Sequence, residues 1–205
     1  MSPRIAAIQG SMDRNSATSS LVRHVGECLE QHGARVDYID LREIRLPFFE
    51  QATARDVAQY RELAPLIQEA DGYVLGTPDY HGNPSGVLKN FMDYFWREFT
   101  GKLFGFVCVS NERGVSDMDA LRVAVRMCYG WSLPYGVCGV SGVDVDRTGA
   151  VVSDSLRARL QMMAGDMARY GTLLGTERRR DLTSDHPSFL AVLRAGKGLN
   201  GVAAG

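Results

Sequence analysis

The chain has 205 residues, a formal net charge of −1 and 23% charged residues. That length suits one α/β domain with a sizeable core, and the near-neutral balance gives no reason to expect nucleic acid or an anionic membrane as the main partner. The four cysteines, Cys28, Cys108, Cys128 and Cys138, show no CxxC spacing and do not cluster with the four histidines, so a reduced, cytoplasmic protein is expected, with no disulfide scaffold and no bound metal.

The chain enters an apolar run, residues 5–8, almost at once, which argues against a signal peptide or a membrane span. Runs at 5–8, 72–75 and 104–109 are nearly unbroken, as in strands buried on both faces. Residues 35–40 alternate and fit an outer strand. Residues 133–140 form a fifth candidate, placed at an edge because Pro134 cannot donate a ladder hydrogen bond. Between the strands come helical stretches. Ser16 can cap the first, and Leu21, Val25, Cys28 and Leu29 give it an inward stripe. The second, about 56–70, contains Pro65 and is expected to kink or break there. A third begins near Ser85, a fourth near Asp117, and a fifth covers about 153–174. Strand and helix alternate five times, which predicts a doubly wound three-layer α/β fold with a five-stranded parallel sheet in the order 2-1-3-4-5. The expected domain is 1–175. Residues 176–205 read as a tail, either mobile or docking on a neighbouring subunit through Phe189, Leu190 and Leu193.

Two strand-to-helix turns fall at the carboxyl edge of such a sheet, where open α/β folds bind ligands. The first, residues 10–16, offers Ser11, Arg14 and Ser16, with Ala17 and Thr18 at the helix start. Free helix amides, hydroxyls and a cation suit a phosphate. No GxGxxG follows the first strand, and no GxxxxGK[ST] occurs. The second turn, residues 77–90, is built from Pro78, Asp79, Tyr80, His81 and Gly82, and suits the edge and face of a flat ring. Together they point to a phosphorylated ring cofactor. Asp79 with His81 lacks the further ligands a metal needs.

The string TPDYHGNPSGVLKNFMD at 77–93, preceded by Gly10-Ser11 and Ser16, resembles the NAD(P)H-dependent FMN reductase family over about residues 4–175. Thr77, Pro78, Tyr80, Pro84, Gly86, Leu88, Lys89, Asn90 and Asp93 all fall on the family pattern. The resemblance implies a flavodoxin-like α/β/α sandwich holding FMN, with NADPH or NADH as reductant. A quinone, azo compound, metal oxyanion or free flavin would be the small-molecule acceptor, and the assembly a homodimer or homotetramer. It places Ser110, Asn111 and Gly114, in the loop after the fourth strand, near the flavin, and offers Arg113 as a charge for reduced flavin or nucleotide phosphate; an exposed arginine is the other reading. The chain departs from the pattern at Asp13, where the family has Arg, with Arg14 as the substitute, and at Thr18, Asp79 and His81, which replace Asn, Glu and Asn. The hydride would pass through flavin N5, so no side chain is assigned as acid or base. The aromatic third helix, with Phe91, Tyr94, Phe95, Trp96 and Phe99, is expected to serve the core and a subunit interface. The rival reading is a flavin-binding electron carrier that does not oxidise a nicotinamide. Such carriers are strongly acidic and use a Gly-x-Thr phosphate loop, and this chain has neither feature.

Overall fold

The computed structural model describes residues 2–111 and 114–196. Five stretches form one parallel sheet: β1 (Arg4–Gln9), β2 (Arg35–Asp40), β3 (Gly72–Tyr80), β5 (Leu103–Ser110) and an outer position shared by β6 (Trp131–Ser132) and β7 (Val137–Val140). The path is β2-β1-β3-β5-β6, so the chain reverses its direction of sheet growth between β1 and β3. Two details differ from the expected five strands. The outermost strand is two pieces, paired to opposite ends of β5, because Pro134 sits in the gap where a ladder donor is required. In addition, β4 (Asn83–Pro84) folds back antiparallel on the end of β3, giving seven strands in all.

Period-two alternation sends side chains to both faces. Ala6, Ile8, Tyr73 and Leu75 pack beneath α3 (Ala58–Glu69), α4 (Gly86–Asp93) and α5 (Val115–Met127). Ile5, Ala7, Val74 and Val107 meet α1 (Ala17–Gln31) and α6 (Asp154–Leu182). Burial of both faces is why the strands read as continuous apolar runs. Ser16 caps α1 as expected, accepting from the Ser19 amide at 3.1 Å.

Several helices depart from the reading. Pro65 lies within an unbroken α3; the interruption falls earlier, at Val57, between a short 3-10 turn at Ala54–Asp56 and the helix proper. A short helix, α2 (Leu41–Ile44), carries no sequence periodicity and was not expected; Asp40 caps it. The aromatic helix stops at Asp93, and its rings fill the chain's own core: Phe91, Phe95 and Phe99 are buried and contact one another and, through Phe99, Tyr73 and Phe104. Of that group only Trp96 is exposed.

The fifth helix runs on to Leu182 rather than ending near Leu174. The charge run is not merely solvated, because Arg178 and Arg179 pair with the buried carboxylate of Asp71 at 2.8 and 2.5 Å. A further short helix, α7 (Phe189–Arg194), lies against the same chain, with Ala191 and Leu193 buried and Phe189 edge-on to Tyr129. Arg178 and Arg179 are thus tied to Asp71, and α7 to Tyr129 and, through Arg194, to the carbonyls of Thr100 and Gln68. No helix among the described residues is long and apolar enough to cross a membrane.

Candidate functional site

The reversal between β1 and β3 opens a crevice at the carboxyl edge of the sheet, the usual ligand position in this architecture. Both motif turns lie there. The turn after β1 passes close to the start of α4: a Cβ on Gly10 would lie 2.8 Å from Leu88 Cβ and 2.9 Å from the Gly76 carbonyl, so only glycine fits. The Gly10 amide donates to that carbonyl at 2.8 Å, and Ser85, the cap of α4, donates its hydroxyl to the Gly10 carbonyl. The two turns are therefore fastened to each other.

The first turn is held from below and from the side. Gln9 clamps Ser11 at both ends, accepting from its amide at 2.6 Å and donating to its carbonyl at 2.8 Å. Arg42, paired with Asp40, donates to the carbonyls of Asp13 and Arg14 at 2.7 and 3.1 Å. In a trans peptide N–H and C=O point opposite ways, so the Arg14 amide faces away from Arg42. The Asp13 carboxylate bends back to accept from the Asn15 amide at 3.0 Å. Ser11 accepts from the Asp13 amide and Ser16 from the Ser19 amide, leaving both O–H bonds as donors. The Ala17 and Thr18 amides belong to the first turn of α1 and have no intrahelical acceptor. Arg14 is exposed, with its guanidinium unbonded among the described residues. Two helix amides, two hydroxyls and one guanidinium form a donor set that fits a phosphate dianion.

The second turn is a tight hairpin. Asp79 pairs with Pro84 and Tyr80 with Asn83, so His81 and Gly82 alone make the reversal, at φ of 59° and 75°. Positive φ at both central residues is the type I′ arrangement, which favours Asn or Gly and tolerates His better than bulkier side chains. The histidine at this position thus answers first to turn geometry. Asp79 fixes the hairpin, accepting from the Gly82 amide at 2.7 Å and from the Ser110 hydroxyl at 2.9 Å. Thr77 adds a brace by accepting from the Ser85 amide at 2.8 Å. Tyr80 is left 54% exposed, with a free ring face at the rim, and Pro78 is half-buried behind it.

The third loop joins the other two through Ser110, bonded to Asp79, with Asn111 exposed and Gly114 buried at the foot of α5. Arg113 lies outside the described residues. All thirteen expected ligand positions thus belong to three adjoining loops on one rim. The sequence reading missed the scaffold: Gln9 and Arg42 carry no motif of their own, and Ser85, read as the start of a helix, gave no sign of its tie to Gly10. It also missed the loop at 141–151, where a Cβ on Gly149 would sit 3.3 Å from the Asn15 carbonyl and 3.4 Å from the Ala17 amide. The rim is open rather than enclosed. A cavity of about 730 Å³ lies instead at the opposite edge of the sheet, lined by Arg178, Asp181, Leu190 and Arg194.

With that geometry in hand, comparison with known proteins is informative. The profile of a family described as NADPH-dependent FMN reductase matches residues 3–143. An FMN-dependent NADPH-azoreductase of Staphylococcus aureus is 31% identical over 135 residues, covering 62% of this chain and 71% of that protein. Among solved structures, an NADH:FMN oxidoreductase (EMOB) in its apo form aligns with a TM-score of 0.67 at 19% identity, over 82% of this chain and 89% of the other. The NAD(P)H:(acceptor) oxidoreductase FerB from Paracoccus denitrificans gives 0.70 at 16% identity, over 83% and 98%. These last two likenesses show the fold, a flavodoxin-like α/β sandwich.

Proposed function

The chain belongs to the NADPH-dependent FMN reductase family, and from that premise we propose that its three rim loops hold one FMN, at which NAD(P)H is oxidised and a small flat acceptor reduced. It is an NAD(P)H-dependent FMN oxidoreductase. FMN held there would supply two-electron redox chemistry. The protein's part is to bind, orient and set the electrostatics.

In this reading Ser11, Arg14, Ser16, Ala17 and Thr18 hold the phosphate. The backbone of Pro78, Asp79, Tyr80, His81 and Gly82 lines the ring, with Ser110, Asn111 and Gly114 on its far side. The observation that carries it is the fastening of the two turns through Ser85 and Gly10, which fixes the phosphate donors relative to the ring platform. Arg42 and Gln9 pre-organise the phosphate end by turning carbonyls away from it. The Asp79 carboxylate acts as an internal tie between loops, bonded to Gly82 and Ser110.

For the acceptor, the open rim beside Tyr80 favours a planar molecule that can lie against an exposed ring. A quinone or an azo compound fits better than a metal oxyanion, and the azoreductase activity named for the S. aureus relative supports the azo class. The flavin-binding unit is residues 1–175, and a homodimer or homotetramer in the cytoplasm is the proposed assembly. Steady-state turnover with NADPH and a panel of quinones, azo dyes, chromate and free FMN tests the choice. Turnover confined to chromate or free FMN would refute the planar-acceptor assignment.

A further inference from the structure

We propose that Cys138 is a hydroperoxide-reactive thiol and that Cys108 resolves its oxidised form to an intramolecular disulfide. The basis is a juxtaposition near the carboxyl edge of the sheet, on the side away from α1. Cys108 on β5 and Cys138 on β7 are direct partners in the parallel register. A Cβ on Gly114 would lie 2.9 Å from each sulfur and 3.3 Å from an Asp117 carboxylate oxygen. Two free thiols and an acid therefore converge on one point. Paired residues on neighbouring strands have Cα atoms about 4.8 Å apart, inside the roughly 4.4–6.8 Å that disulfides span. Bond formation asks for side-chain rotation, with little movement of the backbone.

The two sulfurs differ in access. Cys108 is fully buried. Cys138 is half-buried and lines a cavity of about 550 Å³ with Met118, Arg122, Tyr135, Asp144 and Arg159. A molecule the size of a hydroperoxide can meet Cys138 there and cannot meet Cys108. Electrostatics separate them in the same sense. A hydrogen bond from Cys108 lowers the Cys138 thiol below its ordinary value, with Arg159 acting in the same direction, against burial and the carboxylates of Asp117 and Asp79, which raise it. Cys108 is raised by that same bond, by burial and by Asp117, and keeps its proton. The other two cysteines are raised by burial, Cys128 to about 11. Cys138 is thus the one cysteine of the four whose surroundings favour the reactive thiolate.

Packing alone leaves Asp117 unexplained. Its carboxylate is fully buried and neither oxygen has a well-formed hydrogen bond among the described residues, an arrangement that is costly in a core. Burial raises its pKa, opposed by the neighbouring Cys108 thiol. It stands where a proton leaving Cys108 has to go. The chemistry balances as follows. The Cys138 thiolate attacks one peroxide oxygen, the O–O bond breaks, and sulfenic acid and hydroxide form. Cys108 then attacks the sulfenic sulfur and the S–O bond breaks. The hydroxyl departs as water, carrying the Cys108 proton by way of Asp117. Two thiols lose two electrons and two protons, and hydrogen peroxide becomes two waters.

The test uses the full chain with hydrogen peroxide at stoichiometric amounts, followed by alkylation and peptide mapping. Two of the four thiols per chain should disappear, the Cys108 and Cys138 peptides should be found joined, and dithiothreitol should restore both. Cys108→Ser should halt the sequence at a sulfenic acid on Cys138, trapped by dimedone, and Arg159→Met should slow Cys138 oxidation severalfold near neutral pH. Survival of all four thiols, or their loss at Cys28 or Cys128, overturns the proposal. So does a Cys138→Ser protein oxidised as fast as the parent. Should a variant fail to fold, brief iodoacetamide labelling of the unaltered protein decides: Cys138 must label first, and any other cysteine labelling first is contrary.

Discussion

The Ser85 hydroxyl donates to the Gly10 carbonyl, a contact between residues seventy-five apart in the chain that joins the two turns of the candidate site. The same oxygen accepts from the Leu88 amide at 3.3 Å and so also caps α4. Ser85→Ala removes both roles at a buried position. A lost cap plus an orphaned acceptor should cost about 1–3 kcal/mol in unfolding free energy. FMN affinity should fall as well, because the turns would no longer be held in register. Urea unfolding and flavin titration check the two effects, and full stability with unchanged affinity would show that the tie is idle.

The phosphate end separates charge from scaffold. Arg14→Glu sets a carboxylate against the phosphate and should weaken FMN binding by tenfold or more, roughly 1.4 kcal/mol, with little change in stability. Arg42→Met leaves that charge in place but frees the carbonyls of Asp13 and Arg14. It should weaken FMN through disorder of the turn. The two losses therefore differ in salt dependence: added salt should narrow the gap for Arg14→Glu and leave that for Arg42→Met largely unaltered.

The hairpin makes a prediction about backbone rather than charge. His81 sits at φ 59°, where a β-branched side chain is strained. His81→Val should destabilise the protein by about 1–2 kcal/mol. His81→Asn or His81→Gly should match or exceed the parent in thermal unfolding and still bind FMN. Loss of flavin in His81→Asn would mean that the imidazole itself is a ligand.

Away from the site, Lys102 is fully buried and donates to the carbonyls of Ile67 and Gln68 at 2.7 and 2.8 Å, closing the end of α3. Burial, with Arg194 and Arg178 nearby, holds its ammonium well below the usual lysine value of 10.5. The unfolded chain then binds a proton that the folded chain does not. Stability from this group therefore rises with pH from the depressed value up to 10.5. Lys102→Met should flatten that slope, read by urea unfolding between about pH 7 and 9.5. It should also cost about 1–3 kcal/mol for the two lost hydrogen bonds, with the Ile67 and Gln68 carbonyls keeping Tyr73 and Arg194 as donors.

Much of this was legible in the chain itself. Apolar runs located the buried strands, since burial on both faces leaves no polar alternation, and the family string located the ring turn. What escaped was non-local. Nothing near Arg42 reveals that it grips carbonyls twenty-eight and twenty-nine residues earlier. The charge run at 177–181 looked solvated because its partner, Asp71, lies more than a hundred residues away. The core share expected of the aromatic helix is present, with Phe91, Phe95 and Phe99 packed with Tyr73 and Phe104 of the same chain.

The most direct test of the account is the visible spectrum of the purified protein incubated with FMN, desalted, and then mixed with NADPH under nitrogen. A flavin band should survive desalting, with near one FMN per chain, and should bleach on addition of the nucleotide. A colourless protein after exposure to excess FMN would contradict the rim site, and a yellow protein that NADPH does not bleach would contradict nicotinamide oxidation there.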